Sequence, residues 1–348
     1  MINAKKTRIQ FKDSRQDVTG LIVNKKPNVK KEYWRTVKSQ CNRLFRTGEF
    51  IKKTDKGELK GNNNVLEGQL NFIDQVDLYN RRRQKPPLNP IYQRVGTNNA
   101  KDLLSGREKT FRKFLFYRLF YANTAPTILC EGKTDNIYLK CAISKLVGHY
   151  PSLAKGKTKT DPYKLLVRFV KYSNRTRFLL QLHGGVSYLC KFTNYFDKHY
   201  QFYKAPLPKE PVIMILDNDS GPTDLLNAAE KHGSEIIYPK KITKEEGMRK
   251  ADFIHVMHNL YIVLTPLGKA KETEIEDLFD PDTKEIKLRG KSFNPGKNFD
   301  KDSEYGKEYF AKKVVKAQKV DINFDGFKPL LDRVTEVIKH YQGIVSDR

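Results

Sequence analysis

"PVIMILDNDSGPTDLL", residues 211–226, decides how the rest of the chain reads. Five apolar residues, Val212 to Leu216, run without a break from Pro211 into Asp217, Asn218 and Asp219. A short unbroken apolar run predicts a strand buried on both faces, as in a parallel sheet. Gly221 and Pro222 then open a stretch with the pattern of a helix. The strand therefore ends on two carboxylates, aimed at one place, just before a helix begins.

The pattern repeats on either side. "APTILCEG" (125–132) is a short apolar strand ending on Glu131, and "TDNIYLKCAISKLVG" (134–148) is its helix. "RFLLQLHGG" (177–185) predicts a second strand and "VSYLCKFTNYFDKHY" (186–200) a second helix. "EIIYP" (235–239) and "HNLYIVLTPLG" (258–268) predict later strands. "GKEYFAKKVVKAQ" (306–318) and "FKPLLDRVTEVIKHYQG" (327–343) predict closing helices. Strands alternating with helices imply an α/β fold, a mostly parallel sheet with helices on both faces. Residues 150–176 are polar and Lys-rich and read as an insertion.

The first third differs in character. Residues 1–120 hold 28 Lys and Arg against 11 Asp and Glu, within a chain whose formal charge is +26. "TRIQF" (7–11) and "VTGLIVN" (18–24) predict short strands, the second broken at Gly20. In "KKEYWRTVKSQCNRLFRTG" (30–48), Tyr33, Trp34, Val37, Cys41, Leu44 and Phe45 fall at helical spacing, which places Trp34 in the core, and Gly48 is the stop. Residues 62–84 predict a second helix that ends in Arg81, Arg82 and Arg83. The Pro- and Gly-containing stretch 84–106 reads as a loop or hinge, and roughly 107–122 as a basic, aromatic helix. The expected organisation is a basic, mainly helical region (1–85), a linker with that helix (86–122) and an α/β domain (123–348). Such a charge balance points to a polyanionic partner.

Several classes are excluded. Cys41, Cys130, Cys141 and Cys190 form no CxxC pair, so neither a zinc knuckle nor a disulfide framework is indicated. No 18-residue apolar run spans a membrane, and "MINAKKTRIQ" lacks the apolar core of a signal peptide, so the expected place is the cytoplasm, with no membrane partner. "EGKT" is no phosphate loop, because a Walker motif needs glycine at position 127, which is threonine.

Ligands of parallel sheets sit at the carboxyl ends of the strands. Glu131 ends one strand, Asp217 and Asp219 end another, and Asp135 lies one helical turn past Glu131. Glu274, Glu276 and Asp277 in "ETEIEDLF" follow the strand of 258–268. Clustered carboxylates repel one another unless a divalent cation neutralises them, and oxygen-only donors favour Mg²⁺ or Mn²⁺. Such a site supports in-line phosphoryl transfer.

These three acidic segments resemble the motifs of a Toprim domain, most of all those of OLD-family nucleases and of Toprim domains fused to retron reverse transcriptases. The resemblance covers about 125–320. It implies Glu131, Asp217 and Asp219 as metal ligands, Asp135 and Glu276 as second-site ligands, with Glu274 and Asp277 as further candidates. "GKEYFAKKVV" resembles a late segment of that family and nominates Lys307 as catalytic. "DVTGLIVNKKPNVKKEYWRTVKSQ" (17–40) resembles the segment after the palm of retron reverse transcriptases, and residues 2–11 the last palm segment. It implies that Val18, Thr19 and Gly20 begin an RNA-recognising thumb and that Lys25, Lys26, Lys30, Lys31, Arg35 and Lys38 contact phosphate. The Arg81–Arg83 cluster joins them on charge. No Tyr-x-Asp-Asp polymerase motif is present, so the chain resembles the C-terminal part of such a fusion.

The expected function is a Mg²⁺-dependent nuclease effector of an antiphage retron, tethered to the retron non-coding RNA and its branched DNA product, msDNA. The rest of the reverse transcriptase and a homo-oligomeric copy are further expected partners. Two alternatives stand beside it: a non-catalytic RNA-binding scaffold, and topoisomerase or primase work with the same acids. His183, at an expected strand end, reads as structural.

Overall fold

The computed structural model describes residues 11–55, 57–85, 94–95, 101–102, 104–231, 244–296 and 298–348. Phe11 apart, the strands expected at 7–11 and 235–239, the palm-like segment 2–11 and residues 86–93 of the expected hinge lie outside them. The chain divides into two compact units. One comprises 1–117, 174–181 and 201–206, the other 118–173, 182–200 and 207–348.

In the second unit, Val212–Leu216 is the middle strand of a five-stranded sheet. The order across it is Arg168–Phe169, Thr127–Cys130, Val212–Leu216, Leu260–Leu264, Ile254–Met257. The first four are parallel and the last is antiparallel. Every residue of the three inner strands is buried, which explains runs without polar alternation. Ile128, Cys130, Ile213, Ile215, Tyr261 and Val263, two apart along each strand, join one apolar core with Leu331, Val334 and Ile338 of the helix Lys328–Ser346. From the other face, Met214 meets Thr193 of the helix Val186–Tyr200. Each fully buried apolar side chain contributes about 1.5–3 kcal/mol.

Two expectations are corrected here, and one strand was missed. The strand expected at 177–185 is instead the helix Asn174–Leu180, and it belongs to the first unit. A short apolar run fits either state, and Arg175, tied to Asp74, fixes the helical one. The sheet's edge strand comes from inside the Lys-rich stretch read as an insertion, whose Ala154–Lys155 and Lys164–Leu165 also pair. Ile254–Met257 was not anticipated, although its burial alternates as an edge strand requires.

The first unit is mainly helical. Lys31–Thr47 buries Val37, Cys41, Leu44 and Phe45 and stops at Gly48, whose φ of 82° and N–H to the Leu44 carbonyl form the left-handed cap. Trp34 is only half-buried, so its place is not the core expected from spacing. Asn62 caps Asn63–Arg83 through the Asn64 N–H, and Ser105 with Glu108 closes a capping box on Gly106–Phe116. The segment read as one strand, 18–24, is a hairpin. Asp17–Val18 pairs with Leu21–Ile22, and Thr19 and Gly20, both at positive φ, make its turn. Among the described residues no helix is long and apolar enough to cross a membrane, and all four cysteines are free.

Candidate active site

The parallel register carries two strands to the same edge. Ile215 pairs with Cys130, so Asp217 and Glu131 leave adjacent strands side by side. The Asp217 N–H donates to Glu131 Oε2 at 3.3 Å, and the Glu131 N–H donates to the Ile215 carbonyl at 3.0 Å. Gly132 makes the next turn. Its N–H donates to Asp135 Oδ2 at 2.6 Å, and a Cβ there would meet Asp135 Oδ1 at 2.5 Å. Glycine at 132 thus lets the Asp135 carboxylate fold back over the strand end.

Asn218, between the two aspartates, points the other way and is completely buried. Its backbone exchanges two hydrogen bonds with Thr273. Its side chain donates to the carbonyls of Thr265 and Arg249 and accepts from Arg249 Nε. This clamp brings residues 274–277 to Asp217, whose Oδ1 accepts the Ile275 N–H at 2.8 Å. Glu276 is buried, and Lys307 Nζ donates to Glu276 Oε2 at 3.1 Å and to Glu274 Oε2 at 2.9 Å. The Tyr138 hydroxyl donates to Glu276 Oε1.

Glu131, Asp135, Asp217, Asp219, Glu276 and Lys307 therefore feel one another's charge. Burial, opposed by the Asp217 N–H and reinforced by Asp219 and Asp135, pushes Glu131 up to about 7. Burial, then Asp135 and Glu131, pushes Asp217 up to about 8. Burial also raises Asp135 and Glu276. Burial alone would lower Lys307; Glu276 and Glu274 outweigh it and hold the ammonium charged. This is a set of carboxylates in want of positive charge, with one lysine supplying part of it.

The donors are all hard oxygens, which suit Mg²⁺ or Mn²⁺. Among the described residues, however, no three His, Cys, Asp or Glu side chains are gathered so as to hold a metal ion. Each carboxylate instead takes a partner from the chain, Asp219 through the Gly221 N–H. Asp277 Oδ2 accepts the Glu274 N–H at 2.9 Å in a capping box, and its Oδ1 lies 3.9 Å from Lys284 Nζ.

Sequence reasoning missed the support of Glu131. Its carbonyl accepts the Gly185 N–H at 2.8 Å, and at Gly184 a Cβ would lie 2.9 Å from that oxygen. The Tyr172 hydroxyl donates to the Cys130 carbonyl at 2.6 Å. His183 sits beside Tyr172 and Tyr188 in this loop. The Gly-Gly pair after His183 was the signal, legible only once the loop was known to cross a strand end.

The expected nucleic-acid residues fall in three groups. Lys25, Lys26, Lys38, Arg81 and Arg83 line a cavity of about 980 Å³ in the first unit, with Trp34, Tyr79, Arg107 and the carboxylates of Asp77 and Glu108. Val18, Thr19, Gly20, Lys31, Arg35 and Arg82, all exposed, stand outside its lining, and Lys30 pairs with Asp17 at 3.4 Å. Arg81 is corrected: it is 8% exposed, and its guanidinium meets Glu108, 2% exposed, at 2.7 Å. Arg175 joins Glu108 to Asp74, so Arg81 belongs to a buried ion network. No family model matches this chain, and no solved structure matches it.

Proposed function

We propose that the second unit is a Toprim-like, metal-dependent nuclease and that the first unit binds nucleic acid for it. One observation carries this reading. Carboxylates from the carboxyl ends of two adjacent parallel strands meet a third acidic segment that holds Lys307. The resemblance to retron-linked Toprim domains supports it further, and gives the effector role and the retron RNA–DNA partner as parts of the same proposal.

The resemblance assigns the cation to Glu131, Asp217 and Asp219, whose carboxylates would have to draw closer together to hold it, while Glu276 and Glu274 hold Lys307. When bound, Mg²⁺ supplies Lewis-acid polarisation and a nucleophile at neutral pH. The chain's own residues do the rest. Lys307, held as an ammonium by Glu276 and Glu274, would donate to a phosphate oxygen as negative charge grows there. Asp135, held by the Gly132 N–H and the Thr134 hydroxyl, fixes the turn that carries Glu131.

The test is cleavage of labelled tRNA, single-stranded DNA and duplex DNA with Mg²⁺, Mn²⁺ or EDTA. Metal-dependent cutting is expected, reduced by at least about 10²-fold in Asp217→Ala/Asp219→Ala. Undiminished cutting by that variant rejects the site. Salt-sensitive binding with no cutting of any substrate supports the non-catalytic scaffold instead.

A further inference from the structure

A cavity of about 640 Å³ lies against the backbone of Gly306, the residue before Lys307. Its walls are Leu288, Phe299, Tyr305 and Tyr309. Phe299 and Tyr309 stay 36% and 62% exposed, a large outlay of aromatic surface beside a charged site. Four cations, Arg289, Lys291, Lys301 and Lys313, stand round it against one carboxylate, Glu304, and none of the four forms an ion pair among the described residues.

The walls are braced. Ser292–Phe293 pairs in parallel with Glu304–Tyr305, and Phe293 stacks on Phe310 at 4.0 Å. Between them Glu304 Oε2 accepts from Asn294 Nδ2 and from the Asp300 N–H, tying down the loop that presents Phe299. The Phe299 ring lies so close to Gly306 that a Cβ there would come within 2.8 Å of it. Leu288 and Lys291 close a two-residue turn through Arg289 and Gly290, both at positive φ, which sets Arg289 at the rim.

Aromatic walls take flat apolar faces, and an unpaired cationic rim takes phosphate. A single nucleotide of an unpaired strand offers both, and the volume falls within the range of about 300–1,000 Å³ usual for ligand pockets. A paired base offers neither face without unstacking. Resting on the nuclease reading, we propose that this cavity seats an unpaired base next to the scissile phosphate, so that the substrate of the acidic site is a single strand and not a duplex.

The test uses the full chain in EDTA, where binding is read apart from cleavage. The probes are short DNA and RNA single strands carrying 2-aminopurine, the same strands with an abasic site in its place, and the annealed duplexes. Stacking should quench the single-strand probes more than the duplexes, and quenching in either sugar arm supports the proposal. Phe299→Ala/Tyr309→Ala should abolish the quenching and weaken binding about ten-fold, and the abasic strand, which has no fluorophore and is read by competition, should bind the unaltered chain about ten-fold more weakly. Tyr309→Phe should keep both. Equal affinity for the abasic strand, or quenching that survives the double Ala change, overturns it. Quenching as expected, with no cleavage when metal is added, would reject the nuclease and leave a single-strand site. Metal-dependent cutting without aromatic-dependent quenching would do the reverse.

Discussion

Replacing Asp217 by Asn removes a carboxyl that burial, Asp135 and Glu131 all push towards its protonated form. Its folded value of about 8 lies above the ordinary carboxylate value, so ionisation opposes folding. The opposition is absent below about pH 4, grows as pH rises, and is complete above about pH 8. Without metal, the unaltered chain should therefore lose stability between pH 5 and pH 8. Asp217→Asn should be steadier, and more stable by about 1–3 kcal/mol at pH 8, after allowance for solvent screening. Thermal melts in EDTA at the two pH values decide it; parallel pH dependence would show that Asp217 is not strained. Glu131, Asp217 and Asp219 were legible because an acid ending an apolar run is a local signal. Asn218 was not. Its partners Arg249, Thr265 and Thr273 lie 31 to 55 positions away, and no spacing rule joins them.

At the scale of elements, the site is assembled by one irregular crossing. The segment 273–277 belongs to no strand of the sheet, yet the Asn218–Thr273 bridge sets it beside Asp217. Asn218→Ala leaves the donors and acceptors of Arg249, Thr265 and Thr273 short of partners. The expected loss is about 2–4 kcal/mol. Hydrogen exchange should show more: the Ile275 amide should lose protection beyond the global change if the bridge positions this segment. Uniform loss across the unit would make Asn218 a core residue only. The inner strands were readable, since burial on both faces writes itself as an unbroken apolar run. The helix at 174–180 was not, because its state depends on Asp74, about a hundred residues earlier. The capping bond of Asp277 to Glu274 was not foreseen either, because a turn cap and a metal donor demand the same side chain.

For the molecule as a whole, charge divides by burial. Arg83 is exposed and stacks over Tyr79 at 4.7 Å, whereas Arg81, two positions on from Tyr79, is consumed inside the first unit. Arg83→Ala should leave the melting temperature unchanged and reduce the log–log salt slope of single-strand binding by about 0.7. Arg81→Ala should do the opposite, costing about 3 kcal/mol of stability with little change in the slope. Salt-dependent binding isotherms and melts of both variants check this; a stable Arg81→Ala with a reduced slope would return Arg81 to the nucleic-acid surface. Composition showed that this third of the chain is cationic but not which cations are spent internally, because Glu108 and Asp74 carry no mark of burial in the sequence.

The buried ion network also sets an order of synthesis. Arg175, which neutralises Asp74, leaves the ribosome 101 residues after it, roughly 5–20 s later at ordinary elongation rates. The cationic unit also takes in residues 201–206, so it is unfinished until two strands of the acid-bearing sheet, Thr127–Cys130 and Arg168–Phe169, have already been made. A nascent chain arrested before Arg175 carries an Asp74 without that partner, and should have a marginal, protease-sensitive fold. Premature termination before Arg175 should thus leave no lasting pool of the cationic unit on its own.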